Sequence, residues 1–405
     1  MELSFPVILD GATGTQLQKR GFDGSQCAEK WTLEHPEVIL EIQRAYVDAG
    51  SRIIYTPTFG ANRVKLESRG LFGKVEEYNL ALAALSRQAA QGRAWVAGDI
   101  APTGKFVYPL GDISFEELVE VYTEQAAALE KAGVDLFVIE TMMTLAEARA
   151  AVLAVKSVSR KPVFVSFTCD ENGRTLSGTD VAAALVVMEG MGVNAFGLNC
   201  SAGPGEMLPQ IKRLQKISSI PLMAKANAGM PQLVDGETVY DCPAELFASY
   251  VPELAAAGVK LFGGCCGTDS THIAALSEAV KGLELQPERP EYQDKLPCAT
   301  EKQAFFLDAD VELGSCVQCG DELEDELADA LEEDEAVVSI AIDDMDELDN
   351  FADCQYMISK PLCLVCDDAQ ILEQALRLYQ GRALYDGGLS EEELMPLAEK
   401  YGLIL

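Results

Sequence analysis

The sequence has little histidine, no long apolar run and a shortage of basic residues. The two histidines, His35 and His272, lie outside every motif described below, so positions on helix surfaces are expected rather than metal ligation. Acidic residues number 65 against 31 basic ones, and the net charge of −34 disfavours nucleic acid and anionic membranes as partners. No apolar run approaches the roughly 18 residues of a membrane-spanning helix, so no membrane location is expected.

A basic leader is also missing, because residues 1–4 read Met-Glu-Leu-Ser and predict no secretory signal peptide. Twelve cysteines without such a signal are typical of a protein of the reducing cytoplasm. In that compartment cysteines serve as core residues, metal ligands or nucleophiles more often than as disulfides. We therefore predict a cytoplasmic protein with free thiols.

The acidic residues are concentrated towards the C-terminal end. Residues 301–405 contain 28 acidic and 5 basic residues, whereas residues 1–300 contain 37 and 26. A chain of 405 residues is long enough for two or three domains. The sequence thus predicts a large domain over residues 1–290, a linker over residues 291–300 and a small acidic α/β domain over residues 301–405.

Residues 1–290 alternate short apolar segments with amphipathic helical ones. Eight of the apolar segments are almost continuously hydrophobic, as expected for parallel strands buried on both faces. Eight such strand–helix units are typical of the α/β fold called a (β/α)8 or TIM barrel. The predicted strands are Val7–Ala12, Ile53–Phe59, Trp95–Ile100, Leu136–Met142, Val163–Cys169, Ala195–Ser201, Leu222–Ala228 and Lys260–Gly267. Ser114, with Glu117 three residues later, predicts a helix N-cap after the third strand.

Three cysteines lie at the ends of two predicted strands. Cys265 and Cys266 are adjacent and flanked by glycines, and Cys200 ends the sixth strand. Three protein ligands with an open fourth position are the pattern of a catalytic zinc site. Zinc bound by three thiolates is suited to taking a substrate thiol as its fourth ligand and holding it as thiolate. The sequence therefore predicts one catalytic Zn2+ and a thiol nucleophile in the substrate.

Polar residues follow the predicted strands where a barrel places its active site, at the carboxyl ends of the strands. The glycine-rich turn at Gly11 and Ala12 offers backbone N–H groups that can bind a carboxylate, although a purely structural turn is the alternative. Asp10 and Glu140 can both face a substrate ammonium group, although Glu140 could instead be a helix N-terminal acid. The remaining candidate substrate-binding residues at strand ends are Thr58, Phe59, Asn199 and Asn227.

Specific motifs occur in five segments of residues 1–290, namely Ile8–Thr15, Thr58–Ala61, Gly197–Ser201, Ala226–Gly229 and Gly263–Thr268. Together they resemble the homocysteine S-methyltransferase family, and within it the homocysteine-binding module of cobalamin-dependent methionine synthases. The resemblance implies a (β/α)8 barrel that binds zinc and homocysteine.

The same resemblance implies roles for the candidate residues. Zinc would be held by Cys200, Cys265 and Cys266, and homocysteine would bind to it through sulfur. Asp10 and Glu140 would lie near the amino group of homocysteine, and the turn at residues 11–12 near its carboxylate. The asparagine at position 227 would approach the metal when substrate is absent.

The C-terminal segment resembles part of the pterin-binding barrel of those synthases, at residues 361–366, 375–384 and 397–402. It has room for about half of such a barrel, and residues 383–388 lack the Asn-Ser pair expected there. No Asp-x-His-x-x-Gly motif of a cobalamin-binding module occurs. The resemblance therefore does not imply folate binding or cobalamin binding by this chain alone.

The leading hypothesis is zinc-dependent methyl transfer to the thiol of homocysteine, giving methionine, with methylcobalamin on a separate corrinoid protein as the donor. The alternative is a self-sufficient enzyme that uses S-methylmethionine or betaine. Such onium donors predict aromatic residues at the mouth of the barrel, for which Phe59, Phe106 and Tyr108 are candidates. A third possibility is a barrel that acts only in a complex docked through the acidic tail. A related thiol or selenol as acceptor stays open.

Overall fold

The computed structural model describes residues 4–108, 110–234, 237–285, 287–288 and 290–405. The chain forms two compact units. The first comprises Met1–Leu176, Asn194–Gln215 and Ser219–Glu288, and the second comprises Ser177–Val193, Lys216–Ser218 and Arg289–Leu405. The domain limits predicted at residues 290 and 301 stay a prediction. In the described part of the chain, every helix is too short or too polar to cross a bilayer.

The first unit is built around parallel strands. In chain order its strands are β1 (Val7–Ile8), β2 (Ile53–Tyr55), β3 (Trp95–Ile100), β4 (Leu136–Met142), β5 (Val163–Phe167), β6 (Ala195–Asn199), β7 (Leu222–Ala226), the hairpin strands β8 (Gln232–Val234) and β9 (Glu237–Val239), and β10 (Val259–Gly264). Among the described residues, eight of them form a parallel sheet in the order β1-β10-β7-β6-β5-β4-β3-β2. The Arg52 N–H donates to the Ile8 carbonyl (2.7 Å), which brings the two ends of the sheet together. The predicted (β/α)8 barrel is confirmed.

Helices follow the strands in the order that a barrel requires. They are α1 (Gly14–Gln18), α2 (Ala28–Glu34), α3 (Pro36–Ala49), α4 (Arg63–Ser68), α5 (Val75–Ala90), α6 (Phe115–Lys131), α7 (Leu145–Val158), α8 (Val181–Gly190, in the second unit), α9 (Pro204–Gln215), α10 (Ala244–Ser249), α11 (Val251–Ala256) and α12 (Ser270–Ala279). Ser114 Oγ accepts a hydrogen bond from the Glu117 N–H (3.1 Å), so the predicted N-cap of α6 is confirmed. The predicted surface role of His272 is wrong, because this residue is buried in the first turn of α12 and its Nδ1 lies 2.9 Å from the Asp269 carboxylate.

The interior of the barrel is apolar. Several predicted strands ran two to four residues too far at their carboxyl ends, because apolar residues continue into the loops after β1, β2 and β10. Those loop residues leave the sheet to form the mouth of the barrel. The buried interior consists of Val7, Leu9, Ile53, Tyr55, Ala97, Leu136, Val138, Phe164, Ala195, Met223 and Leu261.

The second unit is small and combines helices with strands. Its described strands are the antiparallel pair β11 (Leu296–Ala299) and β12 (Ala304–Leu307), and a parallel sheet of β13 (Cys316–Gln318), β14 (Val338–Ala341), β15 (Leu362–Val365) and β16 (Leu384–Asp386). Beside α8, its helices are α13 (Leu323–Glu332), α14 (Leu348–Cys354), α15 (Ala369–Leu378) and α16 (Glu391–Tyr401), with 3-10 turns at Met345–Glu347 and Gln355–Met357. The likeness of this unit to part of a pterin-binding barrel stays a prediction.

Candidate active site

The three cysteines singled out in the sequence meet at the mouth of the barrel. Cys200 directly follows β6, and Cys265 and Cys266 directly follow β10. Their Sγ atoms all lie within 4.8 Å of one another, and those of Cys200 and Cys266 are 3.5 Å apart. Among the described residues this is the one group of three or more histidine, cysteine or acidic side chains with metal-ligating geometry. All twelve cysteines are free thiols.

Strained and glycine-dependent backbone brings the thiols together. Cys200 adopts a left-handed conformation (φ 54°), which costs a non-glycine residue free energy and is typical of functional sites. Its N–H donates to the Lys225 carbonyl (3.2 Å), which fixes the turn against β7. Gly267, at φ 84°, closes the loop after the cysteine pair, and a Cβ there would stand 2.3 Å from the Tyr240 ring. Glycine is therefore required at position 267 for both reasons.

The thiols share their protons unequally. Hydrogen bonds from the Cys200 and Cys265 thiols lower the pKa of Cys266 to about 3. Hydrogen bonds to its two neighbours, together with burial, raise the pKa of Cys265 well above its ordinary value. The Cys266 thiolate is thus stabilised by two S–H donors. A cation bound by the three sulfurs would take the place of the two remaining thiol protons.

The cluster has the geometry of a metal site. Tetrahedral zinc with bonds of about 2.3 Å places its sulfur ligands about 3.8 Å apart, close to the Cys200–Cys266 separation. A fourth polar atom is near: the Asn227 side chain donates to the Cys200 carbonyl (3.3 Å), while its buried Oδ1 has no hydrogen-bond partner in the described structure. Buried oxygens without a hydrogen-bond partner are rare in proteins. The spacing of the sulfurs and this free oxygen both fit a cation bound by the thiolates.

A cavity of about 710 Å³ opens in front of the thiols. This volume falls within the range of pockets for small molecules and exceeds the needs of a single small amino acid. Of the predicted site residues, the following line it: Asp10, Gly11, Ala12, Phe59, Glu140, Cys200, Cys265 and Cys266.

Thr58, Asn199 and Asn227 are not among the residues that line the cavity. Thr58 Oγ1 donates to the Asp99 carbonyl (2.7 Å). Asn199 Oδ1 accepts from the Thr141 N–H (2.9 Å) and from Ser166 Oγ (2.9 Å), which ties together the ends of β4, β5 and β6. These residues shape the strand ends that carry Glu140 and Cys200, and their direct contact with a substrate stays a prediction.

A buried lysine on β7 joins the acidic residues of the cavity. Lys225 Nζ lies 2.8 Å from Asp10 Oδ1 and 3.9 Å from Glu140 Oε2, and 3.7 Å from the centre of the Tyr55 ring. Burial opposes its charge, but Asp10, Tyr55 and Glu140 raise the pKa of Lys225 well above its usual range. Burial raises the pKa of Asp10 and of Glu140, and the lysine ammonium opposes both shifts. The cavity floor is therefore a buried cation held between two carboxyl groups.

Asp10 and Glu140 differ in whether a carboxyl oxygen remains available to a ligand. Asp10 has both oxygens engaged, one by Lys225 and the other by the Tyr55 N–H (2.7 Å). Glu140 Oε2 is buried and has no hydrogen-bond partner among the described residues. Glu140 is consequently the carboxyl group with an oxygen left for a bound ligand.

Gly263 makes the lysine–aspartate pair possible. The β10 strand lies between β1 and β7, so a side chain from β7 must cross it to reach Asp10. A Cβ at position 263 would stand 2.8 Å from Lys225 Cγ and 2.9 Å from Leu9 Cβ. The absence of a side chain there opens the path across the strand.

Two further charged residues belong to this site, and the candidate residues chosen from the sequence did not include them. Lys225 is the one basic residue in the apolar stretch of β7, and a charge inside a buried strand was the available signal. Asp99 ends β3 and lines the cavity, with a buried Oδ1 that has no hydrogen-bond partner in the described chain. Burial, and then the charge of Glu140, raises the pKa of Asp99 well above its ordinary value.

Fold and site define a barrel with a thiol cluster and an acidic cavity at the carboxyl ends of its strands. Residues 7–280 match the family model described as homocysteine S-methyltransferase. The chain belongs to the homocysteine S-methyltransferase family, as its motifs predict.

Individual relatives agree with this assignment. The chain is similar to the methionine synthase of Mycobacterium tuberculosis (31% identical over 328 residues, 75% of this chain and 27% of that protein) and to that of Mycobacterium leprae (33% over 297 residues, 68% and 24%). It thus spans about a quarter of the length of these curated relatives. Its structure is similar to the homocysteine methyltransferase MmuM of Escherichia coli in oxidized form (TM-score 0.57, 26% identity, 67% of this chain and 95% of that one) and in metallated form (TM-score 0.57, 25% identity, with the same coverage).

Proposed function

We propose that this protein transfers a methyl group to the thiol of homocysteine, giving methionine, in a reaction that depends on one zinc ion at Cys200, Cys265 and Cys266. The observation that carries the proposal is the thiol cluster facing the same cavity as an acidic cradle. Zinc in this cluster would supply an open coordination position at which a substrate thiol is stabilised as thiolate. The names of the relatives, methionine synthase and homocysteine methyltransferase, agree with this activity.

The residues of the chain would position the amino acid part of the substrate. The free oxygen of Glu140 is suited to accept a hydrogen bond from the substrate ammonium group. Lys225 and the Tyr55 N–H hold Asp10, and Lys225 also offsets the negative charge of Glu140. With its amino acid part held by these residues, the substrate would have its sulfur in line with the methyl group of the donor. Such positioning is a large part of methyl-transfer catalysis.

The donor we propose is a methyl-corrinoid on a separate protein, because the motifs of the chain resemble the homocysteine-binding module of cobalamin-dependent methionine synthases and the curated relatives are methionine synthases. The surroundings of the candidate aromatic residues also favour a corrinoid donor over an onium donor. Phe59 lines the cavity, but Lys65 Nζ already lies over its ring at 4.6 Å. Phe106 and Tyr108 are not among the residues that line the cavity. The cation-binding face expected for an onium donor is thus occupied at Phe59.

A self-sufficient methyltransferase is the second candidate. It is favoured by the likeness to MmuM, since this chain covers 95% of a protein that is itself called a homocysteine methyltransferase. A barrel of this size would then need no further module.

An assay of methionine formation separates the two candidates. We expect zinc-loaded protein to methylate homocysteine with methylcobalamin and to show no turnover with S-methylmethionine or betaine. Turnover with an onium donor would replace the corrinoid proposal by the self-sufficient enzyme. Absence of turnover with all three donors, with zinc bound, would contradict the proposed function of the isolated chain.

Replacement of Glu140 tests the assignment of the ammonium site. We expect Glu140→Gln to raise the KM for homocysteine about 10- to 100-fold, because a hydrogen bond between charged groups is worth about 1.5–3 kcal/mol. Binding of 4-mercaptobutyrate, which has the thiol and carboxylate but no amino group, should stay within about threefold. Glu130→Gln is the matched control, since Glu130 pairs with Lys161 on the surface. An equal loss of affinity for both thiols would show that Glu140 does not bind the ammonium group.

A further inference from the structure

Two basic residues of the cavity lack an acidic partner. Lys65 on α4 and Arg69, which ends that helix, both line the cavity. In the described structure neither side chain forms an ion pair, although acidic residues outnumber basic ones about two to one in this protein. Arg63, on the same helix, does have such a partner in Glu124 (3.8 Å). Of the three basic residues on α4 and at its C-terminal end, the two that line the cavity are thus the ones without an ion pair to a described residue.

The acidic side chain whose charge acts most strongly on Lys65 already has other partners. Glu29 is buried, and its Oε1 accepts from the Gly60 N–H (2.6 Å) while its Oε2 accepts from the Cys27 thiol (3.0 Å). Lys65 is half-buried, and burial lowers the pKa of its ammonium group while the charges of Glu29, Glu147 and Asp99 oppose that shift. The lysine is therefore partly desolvated without a counter-ion in contact, an arrangement that favours an anionic ligand.

The position of these cations relative to the thiols follows from the strand order. The helix α4 lies in the connection after β2, and Cys200 follows β6. These two strands are four places apart in the eight-stranded barrel, whereas β10, which precedes Cys265 and Cys266, is two places from β2. The cations and the thiols thus belong to different parts of the wall of one cavity. A ligand whose reactive end meets the thiol cluster can have its other end at Lys65 and Arg69.

We propose that Lys65 and Arg69 form an anion-binding subsite, which takes a carboxylate or phosphate group of a reactant in the cavity that the thiol cluster also lines. This inference rests on the proposed methyl transfer. Two reactants of that reaction could carry the carboxylate or phosphate group. The anion belongs either to the methyl donor or to homocysteine, whose carboxylate would then extend towards α4. A planar guanidinium and an ammonium group together are well suited to such oxygen anions.

Binding of inorganic phosphate to the full chain tests the subsite without relying on methyl transfer. We expect calorimetry to show phosphate affinity reduced about tenfold in Lys65→Gln and in Arg69→Gln. Lys65→Arg, which keeps the charge, should restore affinity to within about threefold of the parent. Arg63→Gln is the matched control on the same helix and should leave phosphate affinity unchanged.

Two further arms identify the source of the anion. If the anion is the donor's, Lys65→Gln raises the KM for the donor and leaves the affinity for homocysteine unchanged. If it is the carboxylate of homocysteine, Lys65→Gln weakens homocysteine but not 3-aminopropanethiol, which lacks that carboxylate. Unchanged phosphate affinity, donor KM and homocysteine affinity in Lys65→Gln would overturn the subsite. Failure of methyl transfer with all donors would count against the proposed function alone, because the phosphate arm still decides on the subsite.

Discussion

Replacement of Cys266 by alanine is expected to remove bound zinc and to lower methyl transfer to homocysteine about 10³-fold or more. The reason is that a metal site with two thiols loses most of its affinity, and the activation of a substrate thiol at neutral pH is worth several kcal/mol. The same result is expected for Cys200→Ala and Cys265→Ala, since all three sulfurs belong to one cluster. Zinc content by metal analysis and methionine formation are the two measurements.

Cys242→Ala is the matched control for these variants. Cys242 is a partly exposed free thiol whose Sγ donates to the Pro243 carbonyl (3.9 Å), and it lies outside the cluster. Its replacement should leave zinc content and turnover at the parent level. A Cys266→Ala protein that has lost its zinc but keeps full turnover would refute the zinc-dependent mechanism.

The sequence predicted the framework of the barrel well because buried parallel strands carry a strong local signal. The limits of β3 and β4 match the predicted strands. At β1 and β2 the predicted strands ran into the mouth of the barrel. Loops that form an enclosed site are themselves buried, so their apolar residues resemble strand residues in sequence.

The candidate site was predictable to the extent that its residues carry local motifs. The glycines around Cys265 and Cys266 mark a tight turn, and the structure does bring Cys200 to it. The lysine–aspartate pair has no such motif, because 215 residues separate Asp10 from Lys225 in sequence. The two side chains meet only once β10 lies between their strands with a glycine at the crossing point. The acidic cavity could be predicted from strand ends, but the pairing of Lys225 with Asp10 could not.

Removal of that cation should have the largest effect on stability. Lys225→Met is expected to lower the free energy of unfolding by about 3–5 kcal/mol, because it leaves the buried Asp10 carboxylate, and the Glu140 group beside it, without a counter-charge. Both tryptophans of the chain, Trp31 and Trp95, lie in the first unit, so urea unfolding followed by tryptophan fluorescence reports on the barrel.

Two comparisons show whether the loss comes from burial of the pair. Lys161→Met removes a lysine at the same 2.8 Å from its partner Glu130, but that pair is about one-third exposed and should cost less than about 1 kcal/mol. Asp10→Asn introduced together with Lys225→Met should cost less than the sum of the single changes, because the uncompensated charge on Asp10 is then gone. Equal losses in Lys225→Met and Lys161→Met would mean that the buried ion pair does not stabilise the barrel. In that case Lys225 would be held in the cavity for its contact with Glu140, and its replacement should change the KM for homocysteine more than the stability.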